Sequence, residues 1–373
     1  MAFDFAALRR HPDVEAPNLH AADAADPLLL DEAADALATA APATVAVVGD
    51  AYGALTLAAA ARHGASGIRA HQDALSGERA LAANAVRFGL ETAYASHGLD
   101  AALLDGARLV LLRLPRSLDA LDEIAEAVAR WAAPDVRVYA GGMVKHMTLA
   151  MNDVLRRHFD RLDVTHARQK ARVLVASGPI PPGDPRWPRT RVDAATGLTI
   201  VARGAAFAGP AVDPGTRLLL AHLDEAVPQA TSAIDLGCGT GVLAVELARR
   251  RPQLRVLATD QSAAAVASAR ATVQANGVAD RVEVVRDDAL SAQPDSTAEF
   301  IVLNPPFHIG AAVHTGIAHK LFADAGRVLA PGGELWAVWN SHLRHRPALE
   351  RLVGPTRQVA RDRTFTVTAS VRP

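Results

Sequence analysis

Two stretches of the chain can be laid on one another at a constant offset of 188 positions, and this repeat constrains the fold more tightly than any other feature. Thr44-Val-Ala-Val-Val-Gly-Asp-Ala-Tyr-Gly-Ala-Leu55 falls on Ser232-Ala-Ile-Asp-Leu-Gly-Cys-Gly-Thr-Gly-Val-Leu243, which puts Gly49 on Gly237, Gly53 on Gly241 and Leu55 on Leu243. The same offset pairs Phe88-Gly-Leu with Asn276-Gly-Val. With small insertions, Leu109-Val-Leu-Leu-Arg-Leu-Pro115 falls on Phe300-Ile-Val-Leu-Asn-Pro-Pro306, and Arg172-Val-Leu-Val-Ala-Ser on Phe365-Thr-Val-Thr-Ala-Ser. Two unrelated Ala-rich domains could share composition, but not glycines, β-branched runs and their order together. The repeat therefore predicts one duplicated domain.

Each half alternates short β-branched runs with Ala-rich helical stretches. In the second half, 233–234, 255–259, 282–285, 300–303 and 335–339 read as strands, with helices over 243–251, 263–276 and 317–329 between them. Strands separated by helices imply right-handed crossovers and a mainly parallel, doubly wound α/β sheet, with ligands at the carboxyl ends of the strands. At 373 residues the chain is comfortable for two such domains. The crowded prolines of Gly178-Pro-Ile-Pro-Pro-Gly-Asp-Pro-Arg-Trp-Pro188 deny helix and central strand, so the domains are expected over 1–178 and 192–373, with a linker over 179–191.

The halves differ where chemistry would sit. Asp235, Gly239, Asp260 and Asn304 in the second half stand opposite Val47, Ala51, Gln72 and Arg113 in the first. Asp235-Leu-Gly-Cys-Gly-Thr-Gly241 follows a strand and opens a helix, where Gly237, Gly239 and Gly241 let the backbone take positive φ and approach a ligand. Asp260 closes the next strand, where a carboxylate can accept both hydroxyls of a ribose. Asp287-Asp-Ala-Leu290 closes the third, placing a carboxylate where it can accept from an adenine amine. One strand-end aspartate would be a helix cap. Three in register with a glycine turn point to S-adenosylmethionine.

Asn304-Pro-Pro-Phe-His308 ends the fourth strand. An amine on a heteroaromatic ring is a poor nucleophile because its lone pair is delocalised. Hydrogen bonds to the Asn304 amide oxygen and the Pro305 carbonyl would orient it, and Phe307 would offer a face for stacking. The bland alternative is a strand followed by a Pro-Pro turn and a core Phe.

On these motifs the second half resembles a class I S-adenosylmethionine-dependent methyltransferase. With Ala206-Phe-Ala-Gly-Pro-Ala-Val-Asp-Pro-Gly-Thr-Arg-Leu-Leu-Leu220 and Asn304-Pro-Pro-Phe-His308, the chain resembles the bacterial ribosomal RNA guanine-N2 methyltransferases. The resemblance implies two tandem Rossmann-like domains, the first degenerate. It implies that Asp235 and the three glycines line the methionine and ribose portion of the cofactor. Asp260 with Gln261 would then hold the ribose, Asp288 with Ala289 the adenine, and Phe207 and Asp213 would belong to a segment closing over it. Asp287 competes with Asp288. Asn304, Pro305 and Phe307 would be catalytic, with Asn304 also touching the cofactor. Ala140-Gly-Gly-Met-Val-Lys-His-Met147 and Trp339-Asn-Ser-His-Leu343 resemble the large-subunit type more closely. The implied partner is ribosomal RNA or a subunit assembly intermediate.

A formal net charge of −1 argues against wrapping nucleic acid by bulk electrostatics. A local strip, Arg156, Arg157, Arg161, Arg168, Lys170 and Arg172, could still contact phosphate, or could be a solvated helix face. Cys238, the only cysteine, excludes an internal disulfide and a multi-cysteine zinc site. His308, His314, His319, His342 and His345 fall in no recognised ligand pattern, so no metal is expected. No secretory leader or bilayer-spanning run is apparent, and a cytoplasmic monomer is expected. Two other functions fit less well: methylation of adenine or a protein glutamine amide, and RNA binding or assembly without catalysis.

Overall fold

The computed structural model describes residues 3–306 and 315–373. The chain divides into two compact units, Met1–Trp187 and Pro188–Pro373. In the first, β1 (Val45–Val48), β2 (Ile68–His71), β3 (Tyr94–Ser96), β4 (Leu109–Arg113), β5 (Arg137–Met143), β6 (Phe159–Val164) and β7 (Ala171–Pro179) form one sheet in the order β3-β2-β1-β4-β5-β7-β6. The second opens with a hairpin of β8 (Arg189–Val192) and β9 (Thr199–Ala202). Its sheet then comprises β10 (Ser232–Leu236), β11 (Arg255–Asp260), β12 (Val282–Arg286), β13 (Ala298–Leu303), β14 (Leu329–Asn340), β15 (Thr356–Arg361) and β16 (Phe365–Val371). The order is β12-β11-β10-β13-β14-β16-β15, the same as in the first unit.

The likeness extends to register. Ala46 lies beside Arg69 and Val110, and Ile234, its counterpart, beside Leu257 and Ile301. Five strands of each sheet run parallel, while the last two are antiparallel to their neighbours. That reversal lies beyond the mainly parallel order expected from alternating strands and helices.

Apolar side chains cover both faces of each sheet, as crossover helices require. Successive residues of β13 alternate between two clusters. Phe300 and Val302 join one with Trp336 and Val338, while Ile301 and Leu303 join another with Leu335 and Phe322. Val45 with Val47, and Ala46 with Val48, alternate likewise on β1. Buried on both faces, these central strands read as near-continuous apolar runs. No helix among the described residues is long and apolar enough to cross a membrane.

The proline-rich stretch 180–188 has no regular structure, but it is tethered within the first unit. Buried Trp187 donates its indole N–H to Asp122 (3.1 Å), on the helix Leu118–Trp131, and Arg186 N–H donates to Glu126 at 3.0 Å.

Candidate active site

The carboxyl end of β10 passes into the helix Val242–Arg250 through the glycine turn. Gly237, Gly239 and Gly241 all take left-handed backbone, at φ 71°, 54° and 80°. Their surroundings differ. A Cβ on Gly237 or Gly239 would meet nothing within 4 Å, so these two leave open space above the turn. A Cβ on Gly241 would come within 3.1 Å of Ala269, so this glycine lets the turn press onto the helix Ala263–Ala275.

Asp235 is fully buried beneath the turn. Its Oδ2 accepts from Ala244 N–H at 2.9 Å, while its Oδ1 has no hydrogen-bond partner among the described residues. Burial, reinforced by the Asp260 charge, pushes the Asp235 carboxyl up to about 7. Asp260 braces the turn from β11, accepting from Gly239 N–H at 3.0 Å and Ser262 N–H at 2.9 Å. Gln261 follows it, with its carbonyl accepting from Arg286 at 3.2 Å. Cys238 is buried within the turn, and that burial raises its thiol pKa well above the ordinary value, which leaves it inert as a nucleophile.

The two acids after β12 separate. Asp287 is a turn cap, accepting from Asp288 N–H, Ser291 Oγ and Ala292 N–H. Asp288 instead meets Lys320 Nζ at 2.6 Å through both oxygens, and Ala289 beside it takes φ 57°. Lys320 carried no signal in the sequence, because it lies on a helix beyond the next strand.

At the end of β13, the Asn304 side chain is held from behind. Its Nδ2 donates to Asp213 Oδ2 and Thr216 Oγ1, both at 3.0 Å. A carboxylate only accepts, so the amide nitrogen must face Asp213 and the oxygen must point away. That Oδ1 is buried without a partner among the described residues. Asp213 is the N-cap of the helix Pro214–Leu220 and also accepts from Thr216 N–H at 3.1 Å. It therefore grips Asn304 directly, a contact the sequence reading did not assign to it. Thr216 was missed, although its place three residues after a capping Asp was visible. Pro305 is buried, and Phe207 is 63% exposed. Phe307, His308 and His314 lie outside the described residues.

The arginines of the proposed strip do not share a helix face. Arg156 ends the helix Leu149–Arg156, Arg161 lies on the edge strand β6, Arg168 and Lys170 in the turn after it, and Arg172 on β7. Four of them meet carboxylates: Arg156 with Asp153, Arg157 with Asp122, Arg161 with Asp163 and Arg168 with Asp31. The pairs of Arg156, Arg161 and Arg168 are exposed on both sides and therefore weak, which leaves those cations open to a competing phosphate, whereas Arg157 meets a buried carboxylate.

Comparison with known proteins finds likeness along nearly the whole chain. Residues 1–179 match the family described as RLMG N-terminal domain, and residues 197–369 match Methyltransferase small domain. The ribosomal RNA large subunit methyltransferase G of Streptomyces coelicolor is 34% identical over 98% of this chain and 97% of its own. The protein of that name from Pseudomonas aeruginosa is 35% identical over 96% of each chain. Among solved structures, the T. thermophilus 16S rRNA N2 methyltransferase RsmC, in complex with AdoMet and guanosine, is similar in fold. It aligns at a TM-score of 0.75, with 23% identity over 94% of this chain and 92% of that one. With both halves matched and full-length relatives at a third identity, the chain belongs to the ribosomal RNA large subunit methyltransferase G family.

Proposed function

We propose that this chain transfers the methyl group of S-adenosylmethionine to the exocyclic N2 amine of a guanine in large-subunit ribosomal RNA. The observation that carries the reading is Asn304, an amide whose nitrogen is consumed by Asp213 and Thr216 and whose buried oxygen has no partner among the described residues. A buried acceptor that the protein leaves unmatched is costly unless a ligand supplies the donor. An aryl amine has such a donor. The guanosine held by the solved neighbour supports guanine as the ring that bears it, and the names of the relatives support large-subunit ribosomal RNA as the molecule that carries it.

The residues also fit the cofactor. Open space over Gly237 and Gly239 admits a nucleoside, and the unmatched Oδ1 of Asp235 offers an acceptor beneath it. In this reading Asp235, Gly237, Gly239 and Gly241 line the methionine and ribose portion, Asp260 and Gln261 hold the ribose, and Asp288 and Ala289 hold the adenine. Phe207 and Asp213 belong to the segment that closes over the site. When bound, S-adenosylmethionine supplies an already activated methyl group. The protein's task is then to position the amine. The Asn304 oxygen and the Pro305 carbonyl each accept one N–H, which directs the nitrogen lone pair out of their plane, and Phe307 stacks on the base. The proton leaves after transfer, so no strong general base is required. Positioning of this kind supplies most of the rate.

In the first unit, Arg156, Arg157, Arg161, Arg168, Lys170 and Arg172 would contact phosphates of the RNA without reading its sequence. Replacing Arg156, Arg157 and Arg161 by Ala is expected to weaken RNA binding and flatten its salt dependence. Unchanged binding removes that part of the reading. We further expect a cytoplasmic monomer acting on ribosomal RNA or an assembly intermediate.

Mass mapping of ribosomal RNA from cells with and without the gene tests the central reading. One methylguanine is expected to vanish on deletion, return with the wild-type gene, and fail to return with Asn304→Ala. No lost methylguanine overturns the reaction, and rescue by Asn304→Ala overturns the role of Asn304.

A further inference from the structure

The helix Thr315–Val328 follows the Asn304 segment in the chain and carries Lys320, Asp324 and Arg327 at spacings of four and three, hence on one face. All three reach the loop after β12. Lys320 Nζ meets both oxygens of Asp288 at 2.6 Å, Asp324 Oδ2 accepts from Leu290 N–H at 3.1 Å, and Arg327 donates to the carbonyls of Leu290 (2.7 Å) and Gln293 (2.8 Å). Between these contacts Ala289 holds left-handed backbone at φ 57°. A residue with a Cβ stays in that region only when its surroundings hold it there. Arg327 also meets the Asp295 carboxylate at 2.6 Å, but the carboxylate that Lys320 grips, Asp288, is the one facing the adenine site in the reading above.

We infer that Lys320 is a positioning residue that fixes Asp288 as an acceptor-only edge for adenine, so that the helix next to the amine clamp sets the preference for an adenosyl cofactor. Each carboxylate oxygen has about two lone-pair sites. Lys320 occupies one on each oxygen and locks the rotation of the group, leaving the others to accept. Adenine presents N–H donors at its 6-position. Hypoxanthine presents a carbonyl oxygen there, which an acceptor-only edge repels.

This inference rests on the adenine reading of Asp288, and its test separates the two. Calorimetric titration of the full chain with S-adenosylhomocysteine and S-inosylhomocysteine gives a preference ratio for wild type, Lys320→Met, Lys320→Arg and Asp288→Ala. Lys320→Met is expected to weaken adenosyl binding about 10-fold, as for loss of a charge-assisted contact, and to leave inosyl binding within about 2-fold. Lys320→Arg, which can grip both oxygens, should restore most of the preference, and Asp288→Ala should abolish it. A general loosening of the fold would instead weaken both ligands together. If Asp288→Ala abolishes the preference while Lys320→Met keeps it, or weakens both ligands equally, the inference about Lys320 is overturned and the reading of Asp288 stands. If Asp288→Ala keeps the preference, the reading of Asp288 falls, and the inference with it.

Discussion

At the end of β13, the oxygen of Asn304 is unmatched among the described residues, whereas at the end of β4 the first unit puts Arg113 in the equivalent place and pairs it with two carboxylates. The Arg113 guanidinium meets both oxygens of Asp23, at 3.0 and 2.9 Å, and the buried carboxylate of Asp26. The glycine turns differ in the same way. In the second unit Ala244 N–H is bound by Asp235 from the strand below. In the first, where Val47 replaces that acid, the equivalent Thr56 N–H is bound at 2.8 Å by Asp50 from within the turn, and Leu55 N–H at 2.7 Å. Tyr52, in the same turn, donates to Asp13 at 2.6 Å, and Arg10 lies 4.5 Å over its ring. At these positions of the first unit, the polar groups are answered by the protein itself.

A titration with S-adenosylmethionine breaks this comparison most directly. One cofactor is expected to bind per chain, and two would show that the first unit is not sealed. Substitutions come next. Arg113→Ala strands the buried charge of Asp26 and should cost about 3 kcal/mol in stability by denaturant unfolding, while kcat stays within about 2-fold. Asn304→Ala should do the reverse, lowering kcat on the order of 100-fold with little change in unfolding midpoint. A loss of kcat in Arg113→Ala without loss of stability would mean that the first unit takes part in the chemistry.

The buried acids make a subtler distinction. Asp235 titrates at about 7 because burial opposes its charge, so between about 4 and 7 the folded chain holds a proton that the unfolded chain has released. The unfolded state then binds fewer protons, and this group's contribution to stability falls as pH rises through that window. Asp235→Asn removes the ionisation, so thermal unfolding at about pH 4.5 and about pH 7.5 should show a smaller fall than in wild type. An equal fall would mean that the carboxyl is not held protonated. Asp26 in the first unit, raised to about 6 by burial against the pull of Arg113, keeps its own slope in that variant. The smallest effect belongs to Ala51. It holds φ 63° where Gly239 holds 54°, so the first unit kept the turn's backbone after losing the glycine that made it easy. Ala51→Gly should raise stability by about 1 kcal/mol through relief of that strain. A loss of stability would show that the Ala51 methyl packs usefully.

Much of this was legible in order and spacing. The offset that pairs Gly49 with Gly237 and Gly89 with Gly277 pairs residues that all share left-handed backbone, because positive φ is a local demand that glycine meets at least cost. The expected helices over 243–251, 263–276 and 317–329 lie within two residues of Val242–Arg250, Ala263–Ala275 and Thr315–Val328. What stayed hidden were contacts between distant residues. Asp287 and Asp288 are neighbours with identical side chains, and only the loop's path makes one a turn cap and gives the other to Lys320. The arginines between 156 and 172 read as one strip, yet a turn and two strands spread them out and bring carboxylates such as Asp31, 137 positions away, against them.

By itself, then, the sequence determined a duplicated doubly wound fold, the turn that can receive a nucleoside, and the strand end that can receive an amine. Those follow from backbone preference and from hydrophobic periodicity, which act over a few residues. Only the tertiary structure decided which polar atoms are answered. Asn304 finds Asp213 across 91 positions and Arg113 finds Asp23 across 90, so among the described residues one strand end keeps an unmatched acceptor and its twin is paired. A hydrogen bond needs its partners within about 3 Å, and only the packing of helix against sheet brings such distant residues that close.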